Sequence, residues 1–236
     1  MQSITVFAAA SLADVVPNLA DAWQPNSPTV RIRTSLGASG VIARQIEAGA
    51  GADLFISANH KWINYLTATG RSAGNSRVVA LNQLALVLPC RTASTTDLSN
   101  PINLGQLLVS NRFAMADPSV SPAGDYTKTA LERMALWDTV KKNATYAGSA
   151  RLALLLSERG GLPSFVYTTD AQKSSLVCIG AKLPTDSYPA IEYVGMLPAK
   201  ANGEVNKLAE AFLNWLSGPT AAAIWRKHGF APTVPK

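Results

Sequence analysis

The sequence predicts an α/β protein of two lobes, each a mostly parallel sheet flanked by helices. Three observations lead to this prediction. Strand and helix patterns alternate from Ile4 to Thr69, two strands follow each other almost directly near Arg77, and two amphipathic helices close the chain. With 236 residues, the chain is long enough for two lobes that each bury a core.

The first predicted strand begins at Ile4, because a β-branched and aromatic run there ends in three alanines. Ser11 follows, and Asp14 lies three residues later, in the pattern of a helix start. Residues 12–23 carry apolar side chains at helical spacing and predict the first helix. Ser11 therefore marks a junction between a strand and a helix.

The same order of strand, small residues and helix returns twice. A strand over 30–35 leads through Gly37-Ala38-Ser39-Gly40 into a helix predicted over 41–48. A strand over 53–57 leads into a helix predicted over 59–69. Repeated alternation of this kind is typical of a parallel sheet with helices on its faces.

A second lobe is predicted to begin after Leu81, where strands over 78–81 and 84–88 are separated by hardly any helix. Further strands are predicted over 113–116, 143–147 and 164–167, with helices over about 125–136 and 150–158 between them. After further strands from Leu176 to Gly195, the predicted closing helices span 204–216 and 220–228 and should pack back on the first lobe. We therefore expect lobe I to comprise residues 1–81 and 196–236, and lobe II to comprise residues 82–195.

Small or hydroxyl-bearing residues stand where the predicted strands meet the predicted helices. Helix N-termini present backbone N–H groups without intrahelical partners and the positive end of the helix dipole, so they suit an anion. Ligands of open α/β sheets bind beyond the carboxyl ends of the strands, which predicts an oxyanion in a cleft between the lobes. Taken singly, the residues also fit a helix cap, a loop serine, first-turn alanines and a buried tyrosine. The predicted contacts are Ser11, Ser39, Ala123, Ala150 and Tyr167.

Composition argues against several other classes of function. The formal charge of +6 is diffuse, since Lys141-Lys142 is the longest basic run, and nucleic-acid binding is therefore not expected. No apolar run approaches the ~20 residues of a membrane span. The chain has no Walker loop, HExxH or CxxC motif and no apparent carboxylate cluster for two metals. We expect no metal-cation site.

An enzyme is not expected, because His60 and His228 are the only histidines and neither is predicted to lie near the cleft. Asp117 could act as a base or a metal ligand, but an Asp-Pro pair after a strand is more often a turn. No catalytic residue is therefore assigned.

Cysteine usage and the N-terminus bear on the cellular compartment. Cys90 and Cys178 match no metal spacing and could be two free thiols, which we favour, or one disulfide. The first strand begins within three residues of Met1, with neither a basic region nor an apolar region before it. The residues alone leave two possibilities, a cytoplasmic protein or one whose signal peptide is absent from this sequence.

Seven stretches resemble the molybdate-binding proteins of bacterial ABC transporters, the ModA family, over nearly the whole chain. They are Phe7–Leu12, Gly37–Gly40 with Ala43–Ala50, Ala52–Ala58, Asp117-Pro118 with Pro122–Tyr126, Val166–Ala171, Gly218-Pro219 and Lys227–Phe230. The resemblance implies a periplasmic, two-lobed solute-binding protein. Such a protein closes on molybdate or tungstate and delivers it to a membrane permease.

The resemblance also implies the roles of the predicted contacts. Ser11 and Ser39 would bind through hydroxyl and backbone N–H, Ala123 and Ala150 through backbone N–H, and Tyr167 through its hydroxyl. Family members often carry a larger aliphatic residue in a valine–arginine pair where this chain has Ala150-Arg151. The exchange keeps the N–H group. A monomer without a cofactor, whose molybdenum is bound only as the oxyanion, is expected.

Two alternatives stay open at this point. A sulfate- or phosphate-type receptor would use the same kind of cleft, although phosphate needs an acceptor for its remaining proton and no acidic residue is predicted there. A cytoplasmic α/β enzyme could use the same anion pocket for a phosphorylated or carboxylated substrate.

Overall fold

The computed structural model describes residues 2–24, 30–74, 76–92, 96–199 and 205–233. The first elements are β1 (Gln2–Ala9), α1 (Val16–Trp23), β2 (Val30–Gly37), α2 (Ser39–Glu47), β3 (Leu54–Ser57), α3 (His60–Ala68) and β4 (Arg77–Asn82). Next come β5 (Leu84–Pro89), α4 (Pro101–Ser110), β6 (Phe113–Ala116), α5 (Pro122–Arg133), α6 (Trp137–Val140), β7 (Ala144–Ala147), α7 (Ala150–Gly160), β8 (Ser164–Tyr167), α8 (Thr168–Ala171) and β9 (Val177–Lys182). The last elements are β10 (Ile191–Met196), α9 (Lys207–Leu216), α10 (Pro219–Lys227) and β11 (Ala231–Pro232).

The chain divides into two compact units. Unit 1 comprises Met1–Leu81 and Glu192–Lys236, and unit 2 comprises Asn82–Ile191. Each unit contains one sheet flanked by helices, which confirms the predicted α/β class.

The sheet of unit 1 has six strands in the order β11-β4-β10-β3-β1-β2. β1 pairs in parallel with both β2 and β3, whereas β10 is antiparallel to β3 and β11 is antiparallel to β4. Helices α9 and α10 contact α1, and α9 also contacts β3. The core on one face includes Ile42, Phe55, Trp62, Leu66 and Met196, all at most 5% exposed.

The sheet of unit 2 has five strands in the order β7-β6-β8-β5-β9. β6 pairs in parallel with β7 and β8, and β5 is antiparallel to β8 and β9. Each sheet is therefore mixed, with three parallel strands side by side and an antiparallel strand next to them, β10 beside β3 in unit 1 and β5 beside β8 in unit 2. The predicted contact residues lie at or after the carboxyl ends of these parallel strands.

The first predicted helix differs from the structure. Residues Ala10–Leu12 form a 3-10 helix, a turn follows, and α1 starts only at Val16. Pro17 lies in the first turn of α1, where a proline is tolerated because its missing N–H group would have no helical partner there. A helix running from Leu12 would instead place this proline in its interior. Ser11 thus lies in a 3-10 turn and does not cap an α-helix.

Smaller differences concern helix ends. The helix predicted from about Asp125 begins at Pro122, which brings Ala123 into its first turn. α4 was not predicted, and α9 begins at Lys207, while the predicted start at Glu204 lies outside the described residues. Helix ends of this kind depend on capping and on the preceding loop as well as on periodicity.

The preference for free thiols is wrong, because Cys90 and Cys178 form a disulfide. β5 and β9 are antiparallel neighbours in which Pro89 pairs with Val177. Cys90 directly follows β5, and Cys178 lies in β9. Their Cα atoms are 4.8 Å apart. Strand pairing therefore brings together two residues separated by 88 positions.

Candidate functional site

The two predicted serines of unit 1 follow neighbouring parallel strands. Ala9 at the end of β1 pairs with Gly37 at the end of β2, and Ala8 pairs with Ile56 in β3. The carboxyl ends of all three strands therefore meet at one edge of the sheet. Ser11 and Ser39 each come two residues after their strand, so the structure brings both to this edge.

Ser39 is the first residue of α2 and is completely buried. Its Oγ accepts a hydrogen bond from the backbone N–H of Ala58 at 3.1 Å. Because a backbone N–H group can only donate, this bond leaves the proton of the Ser39 hydroxyl available for another acceptor.

Ser11 is 4% exposed, and its Oγ lies 2.7 Å from the hydroxyl oxygen of Tyr193. Tyr193 is fully buried in β10, and its ring packs edge-on against Phe230 with 5.3 Å between ring centroids. The Phe230 ring also packs edge-on against Trp225, again with 5.3 Å between ring centroids. Tyr193 was not identified from the sequence, since nothing in its strand distinguishes it from an ordinary core tyrosine.

Tyr193 and Ala58 support the two serines from adjacent places. β10 and β3 are antiparallel, and Val194 pairs with Ser57. Tyr193 directly precedes Val194 in β10, and Ala58 directly follows Ser57 at the end of β3. The groups that hold the Ser11 and Ser39 hydroxyls therefore come from the same strand pair.

The three predicted residues of unit 2 also follow neighbouring parallel strands. Ala116 at the end of β6 pairs with Ala147 at the end of β7, and Ala114 pairs with Ser164 in β8. Ala123 and Ala150 lie in the first turns of α5 and α7, and Tyr167 is the last residue of β8. All three are buried, with 1%, 4% and 2% of their surfaces exposed.

The start of α5 is pressed closely against the end of β6. A Cβ atom at Gly124 would lie 2.2 Å from the carbonyl oxygen of Ala116 and 2.7 Å from the backbone nitrogen of Pro118. Only glycine allows this approach, which places the first turn of α5 against the carboxyl end of β6. Ala123 lies within that turn.

The start of α7 is capped and linked to α8. Ser149 accepts a hydrogen bond from the N–H of Leu152 at 3.3 Å, in the usual manner of an N-cap. Arg151 Nε forms an ion pair with Asp170 Oδ1 at a distance of 2.7 Å, and the Asp170 side chain is completely buried. This ion pair joins the first turn of α7, next to Ala150, to the short helix that follows Tyr167.

Asp117 has a structural role, and His228 lies at the end of the last helix. Asp117 Oδ1 accepts hydrogen bonds from the N–H and the hydroxyl of Ser119, at 2.8 and 2.7 Å, so Asp117 forms the expected turn. His228 lies at the C-terminal end of α10 and is 9% exposed. Among the described residues, no group of three or more His, Cys, Asp or Glu is arranged to hold a metal ion.

His60 lies at the start of α3 and contacts Glu192. It begins α3, which follows β3 at the same sheet edge as Ser39. Its Nε2 is 2.6 Å from Glu192 Oε2, and its side chain is 47% exposed. The hydroxyl of Ser11 is hydrogen-bonded to Tyr193 and not to the His60 imidazole. Ser11 and His60 therefore do not form the nucleophile and base of a hydrolase.

The described part of the chain contains no helix with both the length and the apolar character of a membrane span.

Comparison with known proteins identifies the family. The model of the family described as bacterial extracellular solute-binding protein matches residues 4–231. The molybdate-binding protein ModA of Escherichia coli K12 is 38% identical over 96% of this chain and 88% of its own length. The namesake from Haemophilus influenzae is 32% identical, over 97% and 89%.

A solved structure shows the same fold. The periplasmic molybdate-binding protein of Azotobacter vinelandii superposes with a TM-score of 0.79 at 23% identity, covering 99% of this chain and 100% of that one. The relatives are named for binding and not for catalysis, in agreement with the expectation that this protein is not an enzyme. The chain belongs to the family of bacterial extracellular solute-binding proteins that includes the molybdate-binding proteins.

Proposed function

We propose that this protein binds molybdate, and also tungstate, and delivers the anion to the membrane permease of an ABC transporter. The observation that supports the proposal is that the predicted contacts are uncharged groups able to donate hydrogen bonds. Ser11, Ser39, Ala123, Ala150 and Tyr167 offer hydroxyl and backbone N–H groups. None of the five carries a carboxylate.

Donors without a counter-charge are sufficient for tight binding of a dianion. A hydrogen bond to a charged group contributes roughly 1.5–3 kcal/mol, so about six or seven of them contribute on the order of 10–20 kcal/mol before costs. Desolvation of the anion and ordering of the protein oppose this gain. Micromolar or tighter affinity, about 8 kcal/mol or more, is consistent with the difference.

Both compact units contribute to this proposal. Ser11 and Ser39 belong to unit 1, while Ala123, Ala150 and Tyr167 belong to unit 2. We propose that the units act as the two lobes of the receptor and that contacts from both are needed for full affinity.

We propose the periplasm as the place of action. The Cys90–Cys178 disulfide supports this location, because disulfides persist in oxidising compartments and are rare in the cytosol. The printed family description, an extracellular solute-binding protein, supports it as well. We further propose that the receptor is a monomer without a cofactor, with molybdenum bound only as its oxyanion.

Calorimetry with molybdate, tungstate, sulfate and phosphate tests the proposal. Molybdate and tungstate should bind with dissociation constants in the micromolar range or below, and phosphate should bind far more weakly because none of the predicted contacts is a carboxylate that could accept its remaining proton. Tighter binding of sulfate than of molybdate would identify a sulfate receptor instead. Absence of binding to all four anions, in protein shown to be folded by circular dichroism, would refute an oxyanion receptor.

A further inference from the structure

We infer that Tyr193 is a positioning residue. Its hydroxyl donates a hydrogen bond to Ser11 Oγ, and the Ser11 hydroxyl can therefore donate its own hydrogen bond to the bound oxyanion. The inference rests on the proposed function and goes beyond the five predicted contacts. It concerns a side chain that acts through Ser11.

The proton count at Ser11 carries the first step. A serine hydroxyl has one proton and two lone pairs, and either oxygen of the Ser11–Tyr193 pair could be the donor at their separation of 2.7 Å. If Ser11 donated to Tyr193, its lone pairs would be the part of the hydroxyl left for the anion, which is repulsive. If Tyr193 donates, the single proton of Ser11 is left for the anion.

The neighbouring serine shows which polarity this edge of the sheet supports. Ser39 Oγ accepts a hydrogen bond from the backbone N–H of Ala58, and this direction cannot be reversed because an N–H group only donates. Its own proton therefore stays available. Tyr193 would give Ser11 the same arrangement, and it comes from the same β3–β10 strand pair as Ala58.

The burial of Tyr193 keeps its hydroxyl in place. The residue is fully buried, and the Phe230 ring packs against it at 5.3 Å with an angle of 80° between the ring planes. Consecutive hydrogen bonds polarise one another, so a tyrosine that donates to Ser11 also strengthens the bond that Ser11 donates to an anion. Tyr193 thus improves a contact that it does not make itself.

A double-mutant cycle with Ser11→Ala and Tyr193→Phe tests the inference, with molybdate affinity measured by calorimetry. Phenylalanine keeps the ring that packs on Phe230 and removes the donor. In the chain with Ser11 intact, Tyr193→Phe should raise the dissociation constant about 3- to 10-fold. In the Ser11→Ala background it should change the dissociation constant by less than about twofold, because the residue through which it acts is missing.

Tyr65→Phe is the matched control. It removes a tyrosine hydroxyl of the same unit that is bonded to Glu47, and it should leave molybdate affinity unchanged. Thermal unfolding without molybdate verifies that every variant is folded, and Tyr193→Leu provides a second variant that lacks the hydroxyl.

The outcomes separate the inference from the proposed function. Equal losses of affinity in both backgrounds would mean that Tyr193 acts by packing or by direct contact, and would overturn the inference. No loss in the chain with Ser11 intact would overturn it too. In both cases molybdate binding by the unsubstituted protein leaves the proposed function standing, whereas failure of the unsubstituted protein to bind any oxyanion removes the proposed function.

Discussion

The Oγ atom of Ser39 accepts a hydrogen bond from the backbone N–H of Ala58, which lies 19 residues further along the chain. This bond occupies the acceptor side of a completely buried hydroxyl at the start of α2. The one proton of the hydroxyl is therefore directed to another partner, which in our proposal is the oxyanion. The chemistry of the predicted site follows from this polarity.

Ser11→Ala and Ser39→Ala should each weaken molybdate binding by roughly 1.5–3 kcal/mol, because each removes a donor to a charged ligand. Ser39→Ala should also lower the free energy of unfolding by about 1–3 kcal/mol, since it leaves the buried N–H of Ala58 without its Ser39 acceptor. Calorimetry and urea unfolding measure the two effects. Ser187→Ala removes a hydroxyl bonded to the Pro184 carbonyl in unit 2 and should leave affinity unchanged. Unaltered affinity in both site variants would remove these serines from the site.

Tyr167→Phe should weaken molybdate binding by roughly 1.5–3 kcal/mol, the value for a hydrogen bond to a charged group. The substitution keeps the ring and removes only the donor. Tyr167 is buried at the end of β8, so the ring should keep its packing. Tyr146→Phe is the control, because Tyr146 is an exposed residue of β7 in the same unit. Equal affinities of the two variants and the unsubstituted protein would show that Tyr167 serves only the core.

Molybdate affinity should be constant between about pH 6 and 9, because backbone N–H groups and the hydroxyls of serine and tyrosine keep their protons in that range. EDTA should have no effect. Dissociation constants would be measured at fixed ionic strength, so that screening of the +6 charge stays constant.

Two results would contradict that expectation. A tenfold change of affinity within the range would indicate a titrating group in the site. Loss of binding in EDTA would indicate a metal cation.

Gly124→Ala should destabilise unit 2 by on the order of 3 kcal/mol, because the added methyl group meets backbone atoms that cannot move aside cheaply. The carbonyl oxygen of Ala116 would be 2.2 Å from it. Molybdate affinity should fall as well, since the first turn of α5 must shift. Gly160→Ala is the control, because no atom lies within 4 Å of its added methyl group. Urea unfolding that shows the same midpoint for both variants would disprove the close approach.

Replacement of both Cys90 and Cys178 by serine should lower the free energy of unfolding by about 4–5 kcal/mol in the loop-entropy model. The reason is that the disulfide links residues 88 positions apart and so restricts the unfolded chain. Reduction of the unsubstituted protein should lower its stability to the same level, while the double variant should not respond to a reductant. A double variant as stable as the oxidised protein would contradict the expectation.

Local features of the sequence were enough to predict most strands and helices and the positions of four strand ends. Ser39 illustrates this, because a half-buried strand, a glycine-rich turn and an amphipathic helix surround it within twenty residues. Periodicity reports which face of an element is buried, and glycine and proline report where it ends. Pro17 shows the limit, since its effect on the start of α1 was a local signal that helical spacing concealed.

The partners of these residues were decided by tertiary structure alone. Ser11 and Tyr193 are 182 residues apart, and Cys90 and Cys178 are 88 apart. Arg151 meets Asp170 because α7 and α8 follow β7 and β8, two parallel strands that lie on either side of β6. Such pairs depend on which strands lie side by side and in which register, and that choice is made by the burial of whole sheet faces and not by the residues around either partner. The sequence therefore determined which groups stand at the strand ends, and the strand order determined what each of them touches.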